Sequence, residues 1–93
     1  MTKVGEHVTL DIIGTTQEYD PSLFESVIYK IAKAAEVTVL EISKYKFEPQ
    51  GFTILALLAE SHISFHTFPA KGITSFDFFT CRKVSPSIAL DIV

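Results

Sequence analysis

The sequence predicts an α/β fold of the α+β kind: a two-layer sandwich with a largely antiparallel sheet and two helices on one face. Three observations predict it. Apolar and polar residues alternate with period two in several short runs, as half-buried strands do. The runs between Phe52 and Cys81 are joined by tight turns, too short for parallel crossovers. Two stretches with helical spacing and helix-start signals, one near Asp20 and one near Ser85, supply the second layer.

Each element follows from its residues. From Val4 to Ile13, His7, Thr9 and Asp11 alternate with Val8, Leu10 and Ile12, a strand that Gly14-Thr15-Thr16 ends. Asp20 is an N-cap with Pro21 at the first helical position, and Ser22 with Glu25 offers a second, capping-box start. Phe24, Val27, Ile28, Ile31 and Ala35 recur on one face of that helix. Val37, Val39 and Glu41 alternate with Thr38, Leu40 and Ile42 in a β-branched stretch that reads as a strand reaching Phe47. Pro49-Gln50-Gly51 is a turn signal. Phe52 to Ala59 is a nearly continuous apolar run, the pattern of a central strand. His62–Phe68 and Ile73–Cys81 are two more strands around Pro69-Ala70-Lys71-Gly72, and Ser85-Pro86 opens a second helix through Ile88, Ala89 and Ile92.

Composition narrows the function. The 93 residues make one domain, 47% hydrophobic with eight Phe. So small a domain buries a modest fraction of its surface, and a partner subunit would help it. No apolar run approaches the ~20 residues of a membrane span, and Met1–Val8 lacks the apolar core of a signal peptide. A single Cys makes no internal disulfide and suits a reducing cytoplasmic setting. Net charge is −3 with no basic run, which argues against nucleic acid.

Reactive side chains concentrate between Glu60 and Cys81. A serine hydroxyl can attack the carbonyl just before it, turning the Glu60-Ser61 amide into an ester that leaves by β-elimination. That chemistry needs a strained bond, an oxyanion donor and a base. The bland reading of Ser61 is a turn cap. His62, Ser64 and His66 share one strand face by period two, opposite Ile63, Phe65 and Thr67. Two histidines at that spacing could ligate a metal, but no third ligand is evident beyond Cys81 and the distant His7, so no metal site is expected. For Cys81 the bland reading is a small buried side chain; the chemical one is an acid of suitable pKa.

Glu60-Ser61-His62, Ser64, His66-Thr67-Phe68-Pro69, Gly72 and Phe79-Thr80-Cys81 together resemble the self-cleaving site of prokaryotic-type S-adenosylmethionine decarboxylase proenzymes. The resemblance covers nearly the whole chain, though family chains run on past the second helix, within which this one stops at Val93. It implies the same two-layer fold. It also implies cleavage between residues 60 and 61 into a β chain, 1–60, and an α chain, 61–93. Ser61 would become a pyruvoyl cofactor that forms a Schiff base with the substrate amine and withdraws electrons, as pyridoxal phosphate does. In that reading His66 is the processing base, Thr53 stands where the family has a processing Ser, and Cys81 is the proton donor after carbon dioxide leaves. Phe47 and Phe68 match rings that stack on adenine. The expected enzyme is a cytoplasmic carboxy-lyase acting on S-adenosylmethionine for spermidine synthesis, a homodimer with its sites at the interface.

One position departs from the pattern: Ala70 replaces a Glu that holds the ribose hydroxyls. Either Glu60 or another acid compensates, or the substrate is a simpler amino acid such as ornithine or arginine. Lys71 and Arg82 add positive charge that would disfavour a sulfonium. Two further readings stay open: an S-adenosylmethionine lyase that needs no pyruvoyl, and an inactive regulatory subunit.

Overall fold

The computed structural model describes residues 5–14 and 20–81. In chain order it contains β1 (Glu6–Ile13), α1 (Pro21–Ala34), β2 (Val39–Lys46), β3 (Phe52–Leu58), β4 (Ser61–Phe68) and β5 (Ile73–Thr80), with a 3-10 turn at Pro69–Lys71. The strands form one five-stranded sheet in the order β1-β5-β4-β3-β2. Every neighbouring pair is antiparallel. The helix expected from Ser85 lies outside the described residues, as does Val4 at the start of the first expected strand.

α1 starts where its residues demand. Asp20 is extended and its side chain accepts from the Ser22 amide at 3.0 Å, with Pro21 at the first helical position. Ile28, Ile31 and Ala32 are buried, and Phe24 and Val27 pack against the same core. The helix lies over β2 and β3. The Phe24 ring meets Phe52 at 5.2 Å and Phe65 at 5.0 Å, so it ties the helix to β3 and β4. Fully burying such side chains stabilises the fold by about 1.5–3 kcal/mol each.

Two strands differ from simple alternation, for identifiable reasons. In β2 the register with β3 shifts between Val39 and Glu41. This bulge inserts Leu40 as an extra residue. Val39 and Ile42 therefore both pack on the core, where uninterrupted alternation puts them on opposite faces, and Leu40 stays exposed. In β3 the continuous apolar run reads as buried on both sides. The structure buries Phe52, Ile54, Ala56 and Leu58 but leaves Leu55 and Leu57 half exposed. The middle strand of the sheet is β4, and β3 lies one place toward the β2 edge.

Period two sorts β4 except at Ser64, which is on the open face yet buried beside Asp77. Ser61, Ile63, Phe65 and Thr67 are buried on the helix side, while His62, His66 and Phe68 show more surface on the open side. On the open face β1 and β5 carry His7, Thr9, Asp11, Ser75 and Asp77, while β3 carries Leu55 and Leu57 opposite Ser43 and Glu41 of β2. Among the described residues no helix is long and apolar enough to cross a membrane.

Candidate active site

The reactive residues fall into groups at the two ends of β4. At its start, Leu58 pairs directly with Ser61, so Ala59 and Glu60 form a two-residue hairpin turn. Glu60 has φ +59. That left-handed conformation normally falls to glycine, and a side chain there stores strain of about 1–3 kcal/mol. Among the described residues, Glu36 at φ +58 is the other non-glycine case, and its place just past α1 is where helices commonly end in this way. At Glu60 the strained residue instead contributes the carbonyl that Ser61 would attack. The Ser61 hydroxyl is buried and donates to Thr80 Oγ1 at 3.2 Å. Cys81 follows Thr80, the register partner of Ser61, and its side chain is exposed, contrary to the bland reading of a buried thiol.

At the other end of β4, Gly51 (φ +92) lets the chain enter β3 close against β4: a Cβ there would stand 2.9 Å from the Thr67 carbonyl oxygen. The Phe52 amide donates to Thr67 Oγ1 at 2.9 Å. This seam sets Thr53 opposite His66, and their side chains hydrogen bond, Oγ1 to Nδ1, at 2.9 Å. Beside them opens a cleft of about 420 Å³ lined by Phe47, Thr53, His66, Phe68, Ala70 and Lys71. That volume suits a small-molecule ligand. Phe47 and Phe68 are 47% and 45% exposed, so they wall the cleft and do not fill the core. Ala70 contributes no polar atom from its side chain, and Glu60 sits at the far end of β4, out of reach of a ligand held beside Ala70 in the same chain.

The expected residues thus divide. Thr53, His66, Phe47 and Phe68 converge on one cleft; Glu60, Ser61 and Cys81 gather at the opposite hairpin. Ser61 faces the core and His66 the open face, five residues along a strand that advances about 3.3 Å per residue, or roughly 17 Å. His66 of one chain therefore does not reach Ser61 of the same chain.

A third group escaped the sequence reading. His7 Nε2 and His62 Nε2 both lie on Asp77 Oδ2, at 2.7 and 2.9 Å. The Ser64 hydroxyl donates to Asp77 Oδ1. Burial works to raise the Asp77 pKa, but hydrogen bonds from Ser64, His7 and His62 and the charge of His62 outweigh it and hold the carboxyl below its ordinary value. Period two does place Asp77 and His62 on open-face positions. Nothing local links His7 to either, because β1 joins the sheet through β5, some seventy residues on in sequence.

An open-faced antiparallel sheet with a serine behind a strained peptide, and an aromatic-walled cleft on the next strand pair, has the frame of a carboxy-lyase made as a proenzyme. The comparisons name the family. The model of the S-adenosylmethionine decarboxylase family matches residues 6–93. The S-adenosylmethionine decarboxylase proenzyme of Brevibacillus brevis is 39% identical over 90 residues, covering 94% of this chain and 68% of that protein. The proenzyme of a Synechococcus species is 44% identical over 80 residues, 84% of this chain and 62% of that one. The crystal structure of the adenosylmethionine decarboxylase from Aquifex aeolicus superposes with a TM-score of 0.82 at 29% identity, covering 99% of this chain and 78% of that one. The chain belongs to the S-adenosylmethionine decarboxylase family, and it spans about two thirds of the length of the two curated relatives.

Proposed function

We propose that this protein decarboxylates S-adenosylmethionine, the aminopropyl-donor step of polyamine synthesis, after cutting its own backbone between Glu60 and Ser61. The observation that carries the reading is the left-handed Glu60 at φ +59, immediately before the serine of the family motif. Ser61 Oγ attacks the Glu60 carbonyl carbon, the C–N bond breaks, and an ester replaces the amide. A base takes the Ser61 Cα proton, and the ester oxygen leaves with Glu60 as its carboxylate. The dehydroalanine left behind hydrolyses, releases ammonia and becomes a pyruvoyl group at the start of the 61–93 chain. Strain in Glu60 favours the first step because it is relieved when the amide opens.

The pyruvoyl carbonyl supplies the electron sink for loss of carbon dioxide. The chain's own residues do the rest. Phe47 and Phe68 hold the adenine, and Cys81, exposed beside the Ser61 register, returns a proton to the substrate α-carbon. His66, held by Thr53, is the processing base. Because His66 lies far from Ser61 in one chain, the base that serves Ser61 comes from a second copy, in a homodimer with shared sites. The half-exposed Leu55 and Leu57 and the exposed Tyr45 on the open face support such a pairing. A cytoplasmic setting accords with the single free thiol.

Intact mass and Edman degradation test the cut together. Two fragments, 1–60 and 61–93, are expected, with only the first readable from its N-terminus. Ser61→Ala should stay whole, folded and without decarboxylase activity. A second readable N-terminus at Ser61 would mean plain hydrolysis and no pyruvoyl group.

A further inference from the structure

We propose that His7, His62 and Asp77 form a binding site for a divalent first-row transition metal, zinc in preference to magnesium or calcium. The three side chains come from β1, β4 and β5 and meet on the open face of the sheet. The strand register explains the meeting. His7 and His62 both stand opposite Phe79, one from each side, and Asp77 is the next residue of β5 on the same face. Their ligand atoms all lie within 4.8 Å of one another.

The donor set is specific in its chemistry. Two imidazole nitrogens and one carboxylate oxygen suit zinc, cobalt or nickel, whereas magnesium and calcium take oxygen ligands. Three protein ligands leave a fourth position open. The two nitrogens now sit 2.7 and 2.9 Å from Asp77 Oδ2. Around a tetrahedral zinc with bonds of ~2.0–2.1 Å, ligand atoms stand about 3.3 Å apart. The two nitrogen–oxygen pairs thus need to open by roughly half an ångström, and the two nitrogens already lie within 4.8 Å of each other.

The surroundings fit a ligand role as well. Ser64 holds Asp77 Oδ1 and leaves Oδ2 for the metal, the outer hydrogen bond that orients a ligating carboxylate. The His62 ring stacks on Phe79 at 5.9 Å, and the His7 ring meets it edge-on at 6.0 Å, so both imidazoles are held in place. A depression of about 350 Å³, lined in part by His7, Ser64 and Asp77, gives room for water or a small ligand on the open coordination position. His66 stands opposite Ser75, four residues along β4 from His62, and does not belong to the set whose ligand atoms lie within 4.8 Å of one another. The competing reading is a trio of hydrogen bonds that only clamps β1, β4 and β5 together.

The test uses untagged wild-type chain stripped with chelator. Zinc titrated by calorimetry should bind saturably, one ion per chain, with magnesium failing to compete. Cobalt should give the visible spectrum of a tetrahedral nitrogen and oxygen site without a thiolate charge-transfer band. His7→Gln and His62→Gln keep hydrogen-bonding capacity, and each should lower zinc affinity by more than about tenfold; Ser64→Ala should lower it by about tenfold. Ser61→Ala should bind as wild type does, so the result does not depend on self-cleavage. No saturable zinc binding by wild type would overturn the proposal. So would undiminished binding by both glutamine variants, or a cobalt–thiolate band that disappears in Cys81→Ser. The presence or absence of that band in wild type decides even where a histidine variant fails to fold.

Discussion

The two ends of β4 differ in what they offer to chemistry. The Ser61 end has a nucleophile, a strained carbonyl before it and a thiol one residue past its register partner. The Phe68 end has aromatic walls, a threonine-held histidine and about 420 Å³ of space, but no residue to be cut. Neither end is a complete site. Strand geometry explains the division: period two sends Ser61 and His66 to opposite faces, and eight extended residues hold the ends about 24 Å apart. Two copies that each lend one end to the other would make both complete.

The comparison breaks most decisively on a mixing experiment. Ser61→Ala keeps His66 and cannot be cut; His66→Ala keeps Ser61 and lacks its base. If sites are shared between copies, co-expressing the two should cut up to about half of the His66→Ala chains, the fraction paired with the other variant in a random two-fold assembly. Each variant alone should stay uncut. Absence of any cleavage in the mixture would mean that one chain closes its own site.

The cleft end is sharpened by Ala70→Glu. A carboxylate there would reach the ribose hydroxyls of a substrate whose adenine lies between Phe47 and Phe68, raising kcat/KM for S-adenosylmethionine about five- to a hundredfold, or ~1–3 kcal/mol. Ornithine and arginine, assayed in parallel by released carbon dioxide, should remain poor substrates for both forms. Turnover of either one above S-adenosylmethionine by the wild type would move the substrate assignment and leave the pyruvoyl chemistry standing.

Glu60→Gly probes the hairpin end. Glycine adopts φ +59 without strain, so the fold should gain slightly in stability while self-cleavage slows several-fold, by roughly the strain no longer released. Glu36→Gly relieves the same conformation at the end of α1 and should leave the cleavage rate unchanged. Equal effects of the two on cleavage would show that strain at Glu60 has no special part in it.

The smallest expected effect is far from both ends. The Asp20 carboxyl is lowered below its ordinary value of 3.8 mainly by the Ser22 amide hydrogen bond. A depressed carboxylate contributes stability above 3.8 and loses it as pH falls through the folded-state value. Asp20→Asn still caps α1, so its unfolding temperature should match wild type at neutral pH and fall less in acid. A parallel decline of both proteins below pH 4 would remove Asp20 from the acid response.

Much of this was legible in one dimension because its causes are local. The Asp20 cap, the period-two faces of β1 and β4, the turn before Phe52 and the spacing from Glu60 to Cys81 all depend on neighbours a few residues away. The alternation read from the sequence begins β4 at His62, and the family resemblance makes His66 the base for Ser61; that Ser61 starts β4 on the opposite face emerges only from the structure. Simple alternation failed in β2, because a bulge is set by pairing with β3 and not by β2 itself.

The sequence by itself determined the antiparallel meander, the helix face that covers it and the reactive motif at the hairpin. Tertiary structure decided which motif residues share a site. Phe47 and Phe68 meet at a cleft because the chain entering β3 is drawn onto the end of β4 at Gly51 and Thr67. His7 reaches Asp77 and His62 because the first strand closes the sheet against the last described one. Contacts across such separations come from sheet order and register, and those depend on how the whole chain buries its apolar faces at once.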